Sequence, residues 1–272
     1  MNNAPIGVFD SGVGGLSCVE ELMRLMPNED IVYLGDTARV PYGTRSRDTI
    51  IEYAKEDIAF LKRHEVKMIL VACGTVSSVL DAIDSDSIGV PISGVVTPAV
   101  EAAYKATENK KIGIIATGAS ISTGAYDRQL ASLDSGISVT GKACPMLVPL
   151  AENGYTSPDC PPARFFTEEY LRAIREAGVD TLILGCTHFP HFSEVISEYM
   201  GRGVKLISSS AELAGHAAKQ LKDSGEAADR NDPGRIRLCC TDSASLFAQN
   251  VRKFLGRDIN ADIIKVSLTE KG

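Results

Sequence analysis

The chain has 272 residues, 44% apolar and 23% charged, ordinary values for a soluble globular protein and enough for one large domain or two compact ones. It carries 35 acidic against 28 basic side chains, a formal net charge of -7, with no Trp and only 6% aromatics. An acidic surface with few stacking groups argues against a nucleic-acid partner, and no stretch approaches the roughly 20 apolar residues that span a bilayer.

In chain order the pattern is strand, turn, helix, repeated. Residues 1–5 are short and polar, so no export signal is expected and the cytoplasm is the expected location. Residues 6–9 form an apolar run ending at Asp10. The glycine-rich turn Ser11-Gly12-Val13-Gly14-Gly15 follows, then a helical spacing through Leu16, Val19, Leu22 and Leu25 that Pro27 ends. Residues 31–34 give a second strand, and a long polar loop at 35–47 leads into an amphipathic helix at 48–64. Residues 68–72 are continuously apolar, as in a parallel sheet covered on both faces. Lys111–Ala116 is a further strand, followed by Thr117-Gly118-Ala119-Ser120. Residues 165–177 read as a helix and Thr181–Leu184 as another buried strand. The segment 208–272 shows a helical pattern, a strand at 236–239 and a second helix, and is expected to pack back on the first lobe.

The order contains an internal echo. Ile6-Gly7-Val8-Phe9 matches Ile112-Gly113-Ile114-Ile115, and Val66-Lys67-Met68-Ile69-Leu70-Val71-Ala72-Cys73 matches Val179-Asp180-Thr181-Leu182-Ile183-Leu184-Gly185-Cys186. This predicts an α/β fold of two pseudo-symmetric lobes, each a mainly parallel sheet flanked by helices, residues 1–96 with 208–272 and residues 97–207. Ligands of open α/β sheets bind beyond the carboxyl ends of the strands. Asp10, Cys73, Thr117 and Cys186 all stand at such ends, so they are expected to converge on the cleft between the lobes.

Seven cysteines in a chain with no export signal are expected to be free thiols. No C-x-x-C occurs, and the Cys186/His188 spacing suits no common zinc pattern, so no metal is expected. Cys18, Cys144, Cys160 and the pair Cys239-Cys240 read as packing residues, with one thiol of the pair exposed. Cys73 and Cys186 differ because each ends the same strand of its lobe and is followed by a threonine, Thr75 or Thr187. Two thiols on opposite sides of one carbon can remove a proton from one face and return one to the other. Asp10 is placed to assist Cys73, and His188 to assist Cys186. The 11–15 turn offers backbone N–H groups to an anion. Thr75, Thr117 and Thr187 offer hydroxyls, with helix capping as their other reading. A dinucleotide site fits poorly, because Ser17 takes the third glycine place and Asp10 would face the pyrophosphate.

The motifs Phe9-Asp10-Ser11-Gly12-Val13-Gly14-Gly15-Leu16, Tyr33-Leu34-Gly35-Asp36-Thr37-Ala38-Arg39-Val40-Pro41-Tyr42-Gly43, Leu147-Val148-Pro149-Leu150 and Leu184-Gly185-Cys186-Thr187-His188-Phe189-Pro190 make the chain resemble the aspartate/glutamate racemases, in particular those acting on glutamate, over almost its whole length. The resemblance implies a cofactor-independent racemase that supplies D-glutamate for peptidoglycan, often as a homodimer. It implies that Cys73 handles the proton of the D-enantiomer and Cys186 that of the L-enantiomer, with Glu152 supporting the histidine. It places Asp10, Ser11, Tyr42, Gly43, Gly74, Thr75, Thr117, Thr187 and His188 at the substrate. A racemase for aspartate or another acidic amino acid, or an impaired glutamate-binding homologue, is the alternative. Relatives usually carry Asn where this chain has Gly74, which removes one side-chain amide; Ser77 or a water is a candidate replacement, and Gly74→Asn is expected to keep or improve affinity.

Overall fold

The computed structural model describes residues 2–268. Among the described residues ten strands form two sheets, and every strand pair is parallel. The larger sheet runs β10-β9-β2-β1-β3-β4, with β1 at Ile6–Asp10, β2 at Ile31–Gly35, β3 at Met68–Val71, β4 at Ile92–Gly94, β9 at Ile236–Cys240 and β10 at Asp262–Lys265. The smaller runs β6-β5-β7-β8, with β5 at Lys111–Ala116, β6 at Ser138–Ala143, β7 at Thr181–Leu184 and β8 at Lys205–Ser208. The parallel sheets and flanking helices are those the sequence pattern predicts.

Strand alternation explains why both faces of each sheet are covered. In the larger sheet Val8, Tyr33, Leu70 and Leu238 point into one core, while Phe9, Leu34, Ile69 and Cys239 point into another. The first core is closed by α1 (Leu16–Leu25), α10 (Ser209–Ser224) and α11 (Ala244–Leu255), the second mainly by α2 (Arg47–Lys62). In the smaller sheet Leu182 and Leu184 face α8 (Pro161–Glu176) and α9 (Ser193–Met200), and Ile114 and Ile183 face α4 (Val96–Ala106) and α6 (Ala125–Leu133). Helix α8 starts earlier than the sequence pattern suggests, because Pro161 and Pro162 sit in its first turn, where no backbone N–H is missed. Cys239 and Cys240 both lie in β9 and, facing opposite cores, are both fully buried; the expectation that one is exposed is corrected.

Three short helices carry the strand ends into the cleft: α3 (Gly74–Ser77) after β3, α5 (Gly118–Thr123) after β5, and α7 (Leu147–Glu152) after β6. The chain passes between the sheets twice, from β4 into α4 and from β8 into α10. The cleft therefore lies where two sets of carboxyl strand ends meet.

Candidate active site

A cavity of about 340 Å³ opens at this junction, and its walls include Asp10, Ser11, Cys73, Cys186 and His188. Glu152, Gly43, Gly74, Thr75, Thr117 and Thr187 complete most of the expected set. The volume is at the small end for ligand sites, about 300–1,000 Å³, and suits a small acid better than a dinucleotide.

Asp10 is the last residue of β1, and its buried carboxylate accepts from the N–H of Gly12 at 3.2 Å and of Gly15 at 3.1 Å. Burial raises its pKa, while the His188 charge, the two amides and a hydrogen bond with Cys73 oppose the rise. The glycine turn is therefore not an open anion cradle as expected: two of its amides already hold Asp10. The turn is glycine-rich for a packing reason too. A Cβ on Gly14 would lie 2.1 Å from Thr187 Oγ1 and 2.6 Å from His188 Cε1, so only glycine lets the first lobe press against the second here.

Cys73 is the N-cap of α3, 4% exposed, with its sulfur 3.9 Å from Ser11 Oγ. Burial pushes its thiol up to about 12, helped by the Asp10 charge and resisted by the Val76 amide and Ser11. Cys186 sits in a different setting. Its sulfur is 3.7 Å from His188 Nδ1, and His188 Nε2 is 3.2 Å from Glu152 Oε1 at the end of α7. Burial works against charge on His188, but hydrogen bonds with Cys186 and Glu152 and the charges of Cys186 and Asp10 outweigh it and raise the imidazole to about 10. One thiol thus faces a carboxylate and the other an imidazolium. Thr117 caps α5, accepting from Ser120 N–H at 3.2 Å, and also bonds Thr75 Oγ1 at 3.0 Å, so capping and site lining coincide in one residue. Thr187 Oγ1 lies 3.4 Å from His188 Nδ1.

Tyr42 is the expected site residue whose side chain goes elsewhere. Its buried hydroxyl sits between Asp36 and Asp57, 3.1 Å from Asp57 Oδ2, and the neighbouring Gly43 lines the cavity instead. Arg39 ties the same loop down: it pairs with Asp36 and Glu56, lies 3.2 Å from Asp57, and stacks over Tyr53 at 4.1 Å. This network was missed from sequence. Its signal was Asp57 on the apolar stripe Ile50, Ala54, Asp57, Leu61 of α2, where a lone carboxylate needs a partner. Ser77 does not stand in for the missing amide of Gly74: its hydroxyl accepts from Val96 N–H at 3.0 Å and lines a different cavity. Geometry bears on Gly74→Asn as well: a Cβ on Gly74 would meet the Gly185 carbonyl oxygen at 2.3 Å, so any side chain here must displace backbone.

A thiol from each of two parallel sheets, facing one small cavity beside an acid/base partner, defines an isomerase that moves a proton between the faces of a carbon. The profile of the Asp/Glu/Hydantoin racemase family matches residues 6–218, and the chain belongs to that family. It is 40% identical over 265 residues to the glutamate racemase of Chlorobium phaeobacteroides, covering 97% of each chain. The crystal structure of a glutamate racemase isoform from Bacillus anthracis superposes with a TM-score of 0.91 at 35% identity, covering 97% of this chain and 98% of that one. The glutamate racemase of Francisella tularensis, solved in complex with D-glutamate, gives 0.87 at 35% identity over 98% and 99%.

Proposed function

We propose that this chain interconverts L- and D-glutamate by two-base proton transfer at the α-carbon. The observation that carries the reading is the shared cavity lined by both Cys73 and Cys186, each beside its own acid/base group. The two lobes, residues 2–96 with 208–268 and residues 97–207, hold the substrate between them; residue 1 and residues 269–272 of the expected first lobe lie outside the described residues. Ser11, Gly43, Gly74, Thr75, Thr117 and Thr187 surround its polar groups.

For L-glutamate, the Cys186 sulfur takes the α-proton while the His188 imidazolium, backed by Glu152, compensates the charge of the thiolate that starts the step. The Cys73 thiol, kept protonated by burial, delivers its proton to the other face. The α-proton leaves with its bonding electrons staying on carbon, and those electrons form the new C–H bond, so the chain ends with the thiolate on Cys73 and the thiol on Cys186. That form is the one D-glutamate requires. Resetting for a second L-glutamate returns a proton to the Cys73 thiolate and takes one from the Cys186 thiol to solvent; Asp10, hydrogen-bonded to Cys73, is the group that passes the proton to Cys73. All the proton carriers are side chains of the protein, and no cofactor is invoked. The product serves peptidoglycan synthesis in the cytoplasm, and the enzyme works as a homodimer.

Incubation of purified protein with D-glutamate in deuterated water, with no added cofactor, tests the reading. Growth of α-deuterated L-glutamate is expected, with D-aspartate turned over far more slowly. Binding of glutamate with neither inversion nor α-deuteration would refute it.

A further inference from the structure

The loops that carry the two thiols touch each other backbone to backbone. Gly74 directly follows Cys73, and Gly185 directly precedes Cys186. A Cβ on Gly74 would stand 2.3 Å from the Gly185 carbonyl oxygen and 3.8 Å from Cys186 Cα. The obstructing atoms are main chain, not the end of a flexible side chain. Gly185 is backed in turn: its N–H donates to Ile115 O at 2.8 Å, and a Cβ on it would meet Ile115 O and the Tyr126 hydroxyl, each at 2.9 Å. On the opposite side, Cys73 and Gly74 are fixed from behind, because Ser77 N–H donates to Cys73 O at 2.9 Å and Ser78 N–H to Gly74 O at 3.0 Å. Two anchored loops therefore meet at a contact that excludes even a methyl group.

We propose that Gly74 is a positioning residue whose bare contact with Gly185 sets the separation of the two catalytic sulfurs. The proposal rests on the two-thiol reading above. A single added carbon must drive the loops apart by roughly 0.7 Å, the difference between 2.3 Å and the 3.0 Å below which Cβ contacts are essentially never seen. A misplacement of about 1 Å between reacting groups costs on the order of 100-fold in rate.

The test is Gly74→Ala in the full chain, read in two ways. Glutamate turnover is expected to lose about 100-fold in kcat with KM held within about threefold, because the bound acid keeps its contacts while proton transfer lengthens. α-Deuteration without inversion is expected to rise relative to inversion, since each thiol still reaches its own face. Bifunctional thiol alkylators of graded span, mapped by peptide mass spectrometry, are expected to bridge Cys73 and Cys186 with a shorter reagent in the wild type than in the variant. A purely structural defect would lower exchange and inversion together and leave the bridging span of the folded fraction unchanged. Unchanged span with turnover near wild type overturns the proposal. If the single variant does not fold, Gly74→Ala with Tyr126→Phe gives the Gly185 loop room to retreat; it is expected to fold and to bridge only with the longer reagent. Failure of both to fold also overturns the spacing role, showing instead a requirement of the fold. Wild-type protein that does not racemise glutamate would sink the functional reading, while the bridging series would still decide the spacing.

Discussion

Replacing Glu152 by Gln keeps the shape of the side chain and removes the charge that faces His188 Nε2 at 3.2 Å. A hydrogen bond to a charged group contributes about 1.5–3 kcal/mol. At 1.36 kcal/mol per pKa unit this is about one to two units of support for the imidazolium. Glu152 is 40% exposed, so water screens the pair and the lower end applies, about one unit. The imidazole, raised to about 10 in the wild type with Cys186 contributing ahead of Glu152, is then expected near 9, still above neutrality. Activity at neutral pH should fall less than about tenfold, while the alkaline limb of the rate profile moves down by about one unit. Because the two enantiomers have equal free energy, kcat/KM must change by the same factor in both directions, so asymmetry is sought in kcat and KM separately. Circular dichroism gives both rates, and imidazole NMR gives the ionisation directly. Collapse of activity at neutral pH with an unmoved alkaline limb would refute the reasoning and put Glu152 in contact with the reacting atoms.

Cys73→Ser and Cys186→Ser are each expected to abolish racemisation with the melting temperature nearly unchanged; near-wild-type turnover in either ends the two-base scheme. Tyr42→Phe leaves Asp36 and Asp57 short of a donor and is expected to destabilise the protein by about 1–3 kcal/mol, read as a melting shift of about 2–4 °C for each kcal/mol. A fully wild-type melting curve would show that the network is already satisfied without the hydroxyl. Stability should also decline on the alkaline side. His188 is raised from 6.5 to about 10 on folding, so its contribution is complete below 6.5 and is lost as pH climbs through about 10. Cys73, raised from 9.0 to about 12, adds to the loss above 9.0, where the unfolded thiol ionises and the folded one resists. Urea midpoints that stay flat across this range would contradict both assignments.

The parallel sheets were legible because β1, β2, β3, β5 and β7 are built round continuous apolar runs; in β9 exposed Arg237 breaks the run, and Leu238, Cys239 and Cys240 still mark the strand. β4 spans only three residues, and β6 is an edge strand reading Ser-Val-Thr-Gly-Lys-Ala, so neither offers a periodic signal. The cysteines were legible because the internal echo lines up Cys73 with Cys186. The direction of the Tyr42 side chain was not, since one residue of a long loop can face either the cleft or the core, and only the Asp57 partner on α2 decides between them. Gly74 was read as a missing amide because a sequence shows which side chain is absent and not which backbone fills its place.

The larger sheet is assembled from both ends of the chain, with β9 seated against β2. On a ribosome, every strand of the smaller sheet has been made by Ser208, whereas β2 keeps an unpaired edge until Ile236–Cys240 emerges. A nascent chain therefore carries one complete sheet beside one with an open flank. Stalled or truncated products in that interval are the species most prone to mispair with each other and to be claimed by chaperones.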